Sequence, residues 1–264
     1  MEIVIVDDEP VSLAVLKQLV GKLPDCKARA FAHASAALAW CDSNDPDVVI
    51  VDYMMPELNG IEFTRRLRAV DGRSDTPLLM VTANAEGNVR ERALASGIND
   101  VLNKPFDSTD LQARVSTMLA LRFSQKKRAN RGNSRAAAQG AGAAAETTDQ
   151  GEVKRLLDYD LTLARIGGDT TLLGEIVRIF VRSVPALMTS IGEAIRRSDL
   201  QHVYVESHSL KGAVGSVEAP EVLRSVVRLE AHARDGDASE AAAVFADVQA
   251  LVQRLSTELS ALIS

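Results

Sequence analysis

The sequence predicts an α/β domain followed by an all-α domain, and two observations predict this arrangement. In the first 121 residues, short apolar runs alternate with amphipathic stretches, and such repeated β-then-α units indicate a parallel sheet with right-handed crossovers. After residue 150 no strand pattern remains, and long amphipathic stretches with short connections indicate an up-and-down four-helix bundle. We therefore divide the chain into an α/β domain at 1–121, a linker at 122–150 and a helical domain at 151–264.

Five strands and five helices are predicted in the first domain from the spacing of its apolar residues. The run from Val48 to Val51 is too short for a buried helix and is β-branched throughout, as a strand covered on both faces requires. The predicted strands cover residues 3–6, 27–31, 48–51, 76–82 and 100–102. The predicted helices cover residues 10–20, 35–41, 60–69, 89–95 and 109–121.

The remainder of the chain divides into a linker and a bundle. Residues 122–135 are basic and polar, and residues 136–145 are rich in alanine and glycine, so we predict a flexible, solvated linker. The basic run lacks the aromatic residues and the amphipathic stripe of a nucleic-acid or lipid site. The predicted helices of the second domain cover residues 161–166, 170–197, 200–217, 221–234 and 239–262.

Composition restricts the classes of function. A net charge of −6 argues against general affinity for nucleic acid. Two cysteines, Cys26 and Cys41, are expected to fill core positions in a reducing compartment rather than to form a disulfide scaffold. No basic leader and no run of 18 apolar residues occurs in the sequence. We therefore expect a cytoplasmic monomer that binds no nucleic acid and does not insert into a membrane.

Charged side chains follow the predicted strands of the first domain at one edge of the sheet. Asp7 and Asp8 follow the first strand, Asp52 the third, Thr82 ends the fourth, and Lys104 follows the fifth. With a strand order of 2-1-3-4-5, the first and third strands are neighbours, and their three carboxylates crowd together. Carboxylates so close repel one another unless a cation lies between them.

Oxygen ligands of this kind suit Mg²⁺, which keeps several of its waters and accepts two carboxylates, a main-chain carbonyl and an incoming phosphoryl group. Lys104 and Thr82 can then neutralise and hydrogen-bond phosphoryl oxygens, which is most of the work that phosphoryl transfer requires. Asp52 is the remaining acid and the candidate nucleophile.

Residues 1 to about 121 resemble a response-regulator receiver domain. The resemblance rests on VDDEP at 6–10, VDYMMPELNG at 51–60, VTA at 81–83 and NKPF at 103–106. It implies a flavodoxin-like (βα)5 fold, phosphorylation of Asp52 and a cis bond before Pro105. It implies that Mg²⁺ is bound by Asp8, Asp52 and the Met54 main-chain carbonyl, with Asp7 acting through water. It also implies that the phosphoryl group is contacted by Thr82, Ala83 and Lys104.

One position departs from the receiver pattern. The fifth strand of the family usually carries an aromatic residue three positions before the lysine, and here Val101 occupies that position. The resemblance therefore does not extend to the aromatic rotamer switch of the family.

A histidine in the second domain has unusual neighbours. On a helix, His208, Lys211, Gly212 and Gly215 share one face, although glycine destabilises a helix by about 1 kcal/mol relative to alanine. Neutral imidazole is nucleophilic near pH 7, a cation offsets phosphate charge, and glycines allow close approach. This face is therefore a candidate phosphoryl carrier with a docking surface around it.

Residues from about 157 to 262 resemble a histidine phosphotransfer (Hpt) domain. The resemblance rests on HSLKG at 208–212 and on the later segment from Leu223 through Leu229-Glu230 to Asp237. It implies that His208 is the phosphorylated residue. Together the two resemblances predict a phosphorelay protein with a sensor or hybrid histidine kinase and a downstream response regulator as partners, without a kinase domain of its own.

Several alternatives remain open from the sequence. A hydrolase of aspartyl-phosphate type also uses an Asp at a strand end, but that class has a second acid two residues later, where this chain has Met54. A docking module whose phosphorylation only changes its contacts is a further alternative. The sequence does not fix the direction of phosphoryl flow. Direct exchange between Asp52 and His208 would require the helix of His208 to lie over the Asp52 crevice.

Overall fold

A computed structural model describes residues 1–56, 58–83, 87–129 and 156–263. The first domain alternates strands and helices as predicted. Its strands are β1 Glu2–Val6, β2 Lys27–Phe31, β3 Val48–Asp52, β4 Leu78–Thr82 and β5 Asp100–Asn103. Its helices are α1 Pro10–Gly21, α2 Ala34–Ser43, α3 Gly60–Ala69, α4 Gly87–Ala95 and α5 Ser108–Ala129.

The five strands form one parallel sheet in the order β2-β1-β3-β4-β5, which confirms the predicted topology. β3 and β4 are buried at every residue because helices cover both faces of the sheet, and this explains their continuous apolar runs. Val6 is in register with Val51 on the neighbouring strand. The residues that follow these two, Asp7 and Asp52, therefore meet at the carboxyl edge, where the chain connections diverge and ligands bind.

The last helix of this domain is longer than predicted. We expected α5 to end near Leu121 and a flexible basic linker to begin at residue 122, but the helix continues to Ala129. Arg122 is buried and pairs with Asp45 at 2.5 Å, and Lys126 pairs with Asp45 at 3.1 Å and with Asp47 at 2.7 Å. These ion pairs hold the first part of the basic segment against the sheet domain. The linker prediction for residues 130–150 lies outside the described residues.

The second domain is helical throughout its described part. Its helices are α6 Tyr159–Arg165, α7 Thr170–Arg196, α8 Leu200–Gly215, α9 Pro220–Asp235 and α10 Ala238–Leu262. An aspartate caps four of these helices by accepting a hydrogen bond from the backbone N–H three residues later. The capping residues are Asp158, Asp169, Asp199 and Asp237. α7 to α10 pack around one apolar core, which confirms the predicted four-helix bundle.

The two domains are packed against each other along α1. This helix contacts α7 and α8 of the bundle. Val15 and Leu19 of α1 belong to the same cluster of buried apolar residues as Leu172 and Ile176 of α7. Apolar packing therefore continues from the sheet domain into the bundle, and it fixes which face of the bundle lies against the carboxyl edge of the sheet.

Among the helices in the described ranges, none combines the length and the apolar character that crossing a membrane requires.

Candidate phosphoryl-transfer site

Two buried carboxylates and one ammonium group form the centre of the site in the first domain. The Lys104 Nζ lies 2.8 Å from Asp7 Oδ2 and 2.7 Å from Asp52 Oδ1. Asp7 also accepts hydrogen bonds from the Ser12 hydroxyl at 2.6 Å and the Glu9 backbone N–H at 2.9 Å. Asp7 is thus held from several sides, whereas the second oxygen of Asp52 accepts only the Met54 N–H, at 2.7 Å, among its hydrogen bonds in the described residues.

Burial and like charge dominate the electrostatics of this edge. Burial raises the pKa of Asp52 to about 6, although Lys104 acts against this shift. Burial and the neighbouring Asp7 raise the pKa of Asp8 to about 6 and that of Glu9 to about 8. Burial alone would lower the pKa of Lys104, but Asp52 and Asp7 outweigh it and raise that pKa. The site therefore has an excess of negative charge that a further cation would relieve.

The donor chemistry of this edge fits Mg²⁺. The available groups are carboxylate oxygens and a main-chain carbonyl, which hard divalent ions prefer. Over the described ranges, no group of three or more His, Cys, Asp or Glu side chains is arranged to hold a metal ion. Mg²⁺ does not require three such side chains, because it retains much of its hydration. Two direct carboxylates, the Met54 carbonyl and several waters would be enough to bind it.

The remaining predicted residues lie around Asp52. Thr82 is buried at the end of β4, and its carbonyl accepts the Lys104 backbone N–H at 2.7 Å. Ala83 lines the cavity next to Asp52 and Lys104. The peptide bond between Lys104 and Pro105 is cis, as expected. A Cβ on Gly60 would lie 2.5 Å from the Asp52 carbonyl oxygen, so no larger residue fits there.

His208 is held by a carboxylate that sequence analysis did not assign a role. The His208 Nδ1 lies 2.6 Å from Glu230 Oε1, and the Lys211 Nζ lies 2.6 Å from Glu230 Oε2. Because a carboxylate only accepts, Nδ1 carries a proton, and in the neutral form of the ring Nε2 is the nitrogen with the lone pair. Burial opposes the charged form of Glu230, but the bonds from His208 and Lys211 outweigh it and lower the pKa of Glu230. The Leu229-Glu230 pair was visible in the sequence, but its contact with His208 was not.

The two candidate phosphoryl sites face each other across the domain interface. A cavity of about 10 Å³ lies between them, which is room for about one water molecule. The residues that line it are Asp7, Asp8, Glu9, Asp52, Met54, Ala83, Lys104, His208, Ser209 and Gly212. Only 4% of Asp52 and 6% of His208 is exposed. α8 therefore lies over the Asp52 crevice, as direct exchange would require.

The predicted docking face of α8 is in contact with the first domain. A Cβ on Gly212 would lie 3.7 Å from the Glu9 Cγ, which is an ordinary contact distance. The Tyr204 hydroxyl lies 3.6 Å from the Met54 sulfur. Gly215 and Lys211 line a second cavity of about 140 Å³ between the domains. A Cβ on Gly215 would meet no atom within 4 Å, so an alanine would fit at either position and the approach of the two domains does not depend on these glycines, contrary to the expectation from the sequence.

Comparison with known families divides the chain in the same way. Residues 3–116 match the family model described as response regulator receiver domain. Residues 175–258 match the family model described as Hpt domain. Both matches agree with the motifs that surround Asp52 and His208.

Curated relatives include proteins similar to one or both domains. The cyclic di-GMP phosphodiesterase response regulator RpfG of Xanthomonas campestris is 36% identical over 46% of this chain and 32% of its own length. The sensor histidine kinase GacS of Pseudomonas protegens is 28% identical over 96% of this chain and 26% of its own. The virulence sensor protein BvgS of Bordetella pertussis is 27% identical over 99% of this chain and 20% of its own. The chain therefore spans between a fifth and a third of these relatives.

Solved structures similar to the first domain include a putative response regulator and a receiver domain. A putative response regulator from Chloroflexus aurantiacus is 29% identical, with a TM-score of 0.43, over 45% of this chain and 97% of its own. The receiver domain of a sensor histidine kinase from Pseudomonas aeruginosa, solved with a magnesium ion in its active-site cleft, is 30% identical, with a TM-score of 0.42, over 45% and 97%.

Proposed function

Because the chain belongs to the two-component phosphorelay proteins, with a response-regulator receiver domain followed by an Hpt domain, we propose that Asp52 and His208 are its two phosphoryl carriers. The observation that supports this most directly is the shared cavity: a buried carboxylate and a buried imidazole with a free Nε2 line the same small space. Phosphoryl transfer depends mainly on such positioning and on charge stabilisation.

Phosphoryl transfer from Asp52 to His208 requires no external acid or base. The Nε2 lone pair attacks the phosphorus of an Asp52 phosphate, the N–P bond forms, and the O–P bond breaks with its electron pair left on the carboxylate. The ring then carries a positive charge, which Glu230 stabilises because it accepts the Nδ1 proton throughout. Lys104 offsets the charge on the phosphoryl oxygens and on the Asp52 carboxylate. The same atoms serve the reverse direction.

We propose Mg²⁺ as the cofactor of the Asp52 site. Asp8, Asp52 and the Met54 main-chain carbonyl would hold it directly, with Asp7 acting through water, and Thr82, Ala83 and Lys104 would contact the phosphoryl group. The ion would supply positive charge against the phosphoryl oxygens. The raised pKa values of Asp8 and Asp52 support this assignment because they reflect buried negative charge that lacks compensation.

Partners outside the chain follow from the proposed chemistry. A sensor or hybrid histidine kinase would supply the phosphoryl group, and a response regulator would receive it. Similarity to the sensor kinases GacS and BvgS supports this class of partner. We propose a transfer protein rather than a hydrolase, because the Asp52 site lacks the second acid at position 54 and faces a histidine acceptor.

The test uses the full chain, labelled phosphoramidate or acetyl phosphate as donor, and Mg²⁺. We expect label on an aspartate, which is acid-stable and base-labile, and on a histidine, which is acid-labile. Asp52→Asn should remove the aspartyl label, and His208→Gln should remove the histidyl label. The control variants Asp71→Asn and His33→Gln change exposed residues and should retain the two labels. Normal aspartyl label in Asp52→Asn, or normal histidyl label in His208→Gln, contradicts the proposal. Continuous release of phosphate without stored label would instead identify a hydrolase.

A further inference from the structure

The domain interface includes a polar contact at the end of α1 that is distant from the phosphoryl sites. The Lys22 Nζ lies 2.9 Å from Asp169 Oδ2 and 3.4 Å from the Ile166 carbonyl oxygen. One turn earlier on α1, the Gln18 Nε2 donates to Glu175 Oε2 at 2.9 Å. A helix of 12 residues is about 18 Å long, so these contacts cannot touch the reacting atoms at its other end. We call these four side chains the α1–α7 latch.

The acidic end of the ion pair in the latch is held in place by its own domain. Asp169 caps α7, and its other oxygen accepts the Leu172 N–H at 2.9 Å. This bond and Lys22 lower the pKa of Asp169. Lys22 is the C-cap residue of α1, where the helix dipole favours a cation. A carboxylate that is already fixed loses little conformational freedom on pairing. This ion pair therefore distinguishes between partner domains better than two mobile surface charges do.

We infer that the α1–α7 latch determines the pairing specificity of the relay, by selecting the Hpt domain of this chain as the partner of its own receiver. This inference rests on the proposed function. Apolar packing between α1 and α7 is non-directional and would accept other receivers with an apolar α1. A receiver with an acid in place of Lys22 would instead leave Asp169 facing a like charge, and like charges suppress incorrect pairing.

Pairing within the chain also controls access from outside. In the docked arrangement Asp52 and His208 are almost fully covered. An external receiver and an external Hpt domain each need one of these two covered faces. The latch therefore favours exchange inside the chain over exchange with other proteins, and weakening it shifts the balance towards outside partners.

Charge-reversal variants of the full chain test the latch. Lys22→Glu and Gln18→Glu each place an acid opposite an acid. Glu175 caps no helix, so Gln18→Glu with Glu175→Lys restores an attractive pair. Asp169 also caps α7, so its charge is removed by Asp169→Asn, which retains the cap. Lys17→Glu, an equal charge change at an exposed position of the same helix, is the matched control.

Two measurements are made on each variant. ¹⁵N relaxation reports whether the domains tumble with one rotational correlation time, and rapid quench after loading of Asp52 reports transfer to His208. We expect Lys22→Glu and Gln18→Glu to give separate, shorter correlation times and a transfer rate roughly tenfold lower. We expect the transfer rate of the double variant Gln18→Glu with Glu175→Lys to return to within about twofold of the wild-type rate. The double variant Lys22→Glu with Asp169→Asn should recover part of the rate. The control Lys17→Glu should transfer at the wild-type rate.

The inference is overturned if the correlation times of Lys22→Glu and Gln18→Glu equal those of wild type. It is also overturned if the double variant at positions 18 and 175 transfers as slowly as Gln18→Glu alone. These results are distinct from failure of the proposed function. If wild-type protein stores no label on Asp52 or His208, the relay proposal fails, while the correlation times still decide whether the latch holds the domains together.

Discussion

The two proposed phosphoryl sites differ in charge balance. Around Asp52, several buried acids share the ammonium group of Lys104, and burial with like charge raises the pKa values of Asp8 and Asp52. Around His208, one carboxylate faces one imidazole and one ammonium group, and the pKa of Glu230 is lowered. The first site has an excess of negative charge that a cation would offset, whereas the second is balanced by its own side chains. We therefore expect a divalent ion to affect the Asp52 site and to have little effect on the His208 site.

Removal of Lys104 should have the largest effect on this comparison. Lys104→Met leaves Asp7 and Asp52 as buried carboxylates without their ammonium partner, and we expect the receiver to lose about 3 kcal/mol of unfolding free energy at pH 8 in chelator. At pH 5 the loss should be smaller, because burial raises the pKa of Asp52 to about 6 and this carboxylate can take up a proton. Urea unfolding at both pH values measures this, with Lys17→Met as control. Equal losses at pH 5 and pH 8 would contradict the electrostatic explanation.

Glu230→Gln should mainly affect rate. The amide can still accept from Nδ1, but it has no charge to stabilise the positive ring that forms on phosphorylation. A hydrogen bond to a charged group contributes about 1.5–3 kcal/mol, so we expect transfer to His208 to be at least roughly tenfold slower. Rapid-quench labelling measures the rate, and Glu193→Gln at an exposed position is the control. A wild-type rate in Glu230→Gln would show that the charge has no role.

The two sites should also differ in pH dependence. Asp52 has a raised pKa of about 6, so the stability it contributes is present below its unfolded pKa and is lost as pH rises through about 6. For Glu230, whose pKa is lowered, stability is present above the unfolded pKa and is lost as pH falls. In chelator, raising the pH from 5 to 8 should destabilise the receiver by about 1.4 kcal/mol from Asp52 alone.

Amide signals of each domain, followed during urea unfolding of the full chain, separate these two contributions. Mg²⁺ should reverse most of the loss in the receiver at pH 8 and should leave the Hpt domain unchanged. A Hpt domain that responds to Mg²⁺ as strongly as the receiver does would remove the distinction between the sites.

The smallest expected effect concerns the face formed by α4, β5 and α5. Val101 is buried where receivers usually carry an aromatic residue, and Arg90 donates to its carbonyl at 3.1 Å. Arg114 pairs with Asp100 and Asp110 on the same face. With these ion pairs in place and no ring to move inward, a phosphoryl mimic should produce only small amide shifts there and no strong dimer. Sedimentation velocity with and without the mimic measures this, and a tight dimer would refute it.

Most of the fold was predictable because its signals are local. Buried parallel strands give continuous apolar runs, and helices give amphipathic ones, so the elements and the bundle follow from the sequence, whereas the strand order 2-1-3-4-5 was assumed and is confirmed by the structure. The end of α5 did not follow, because the apolar spacing stops near Leu121 and the rest of the helix is held by ion pairs with Asp45 and Asp47. The role of Glu230 was hidden for the same reason. Its partner His208 lies on a different helix, and contacts between helices have no local pattern.

The length of α1 has a mechanical consequence. One end of this helix holds the Asp7 and Glu9 region of the receiver, and the other end holds the latch. A rigid rod of about 18 Å that tilts by about 5° about the latch moves its far end by about 1.5 Å. A misplacement of about 1 Å between reacting groups can reduce a rate about 10²-fold. A small change of angle between the domains, made far from any reacting atom, would therefore be enough to slow the proposed exchange between Asp52 and His208 about 10²-fold.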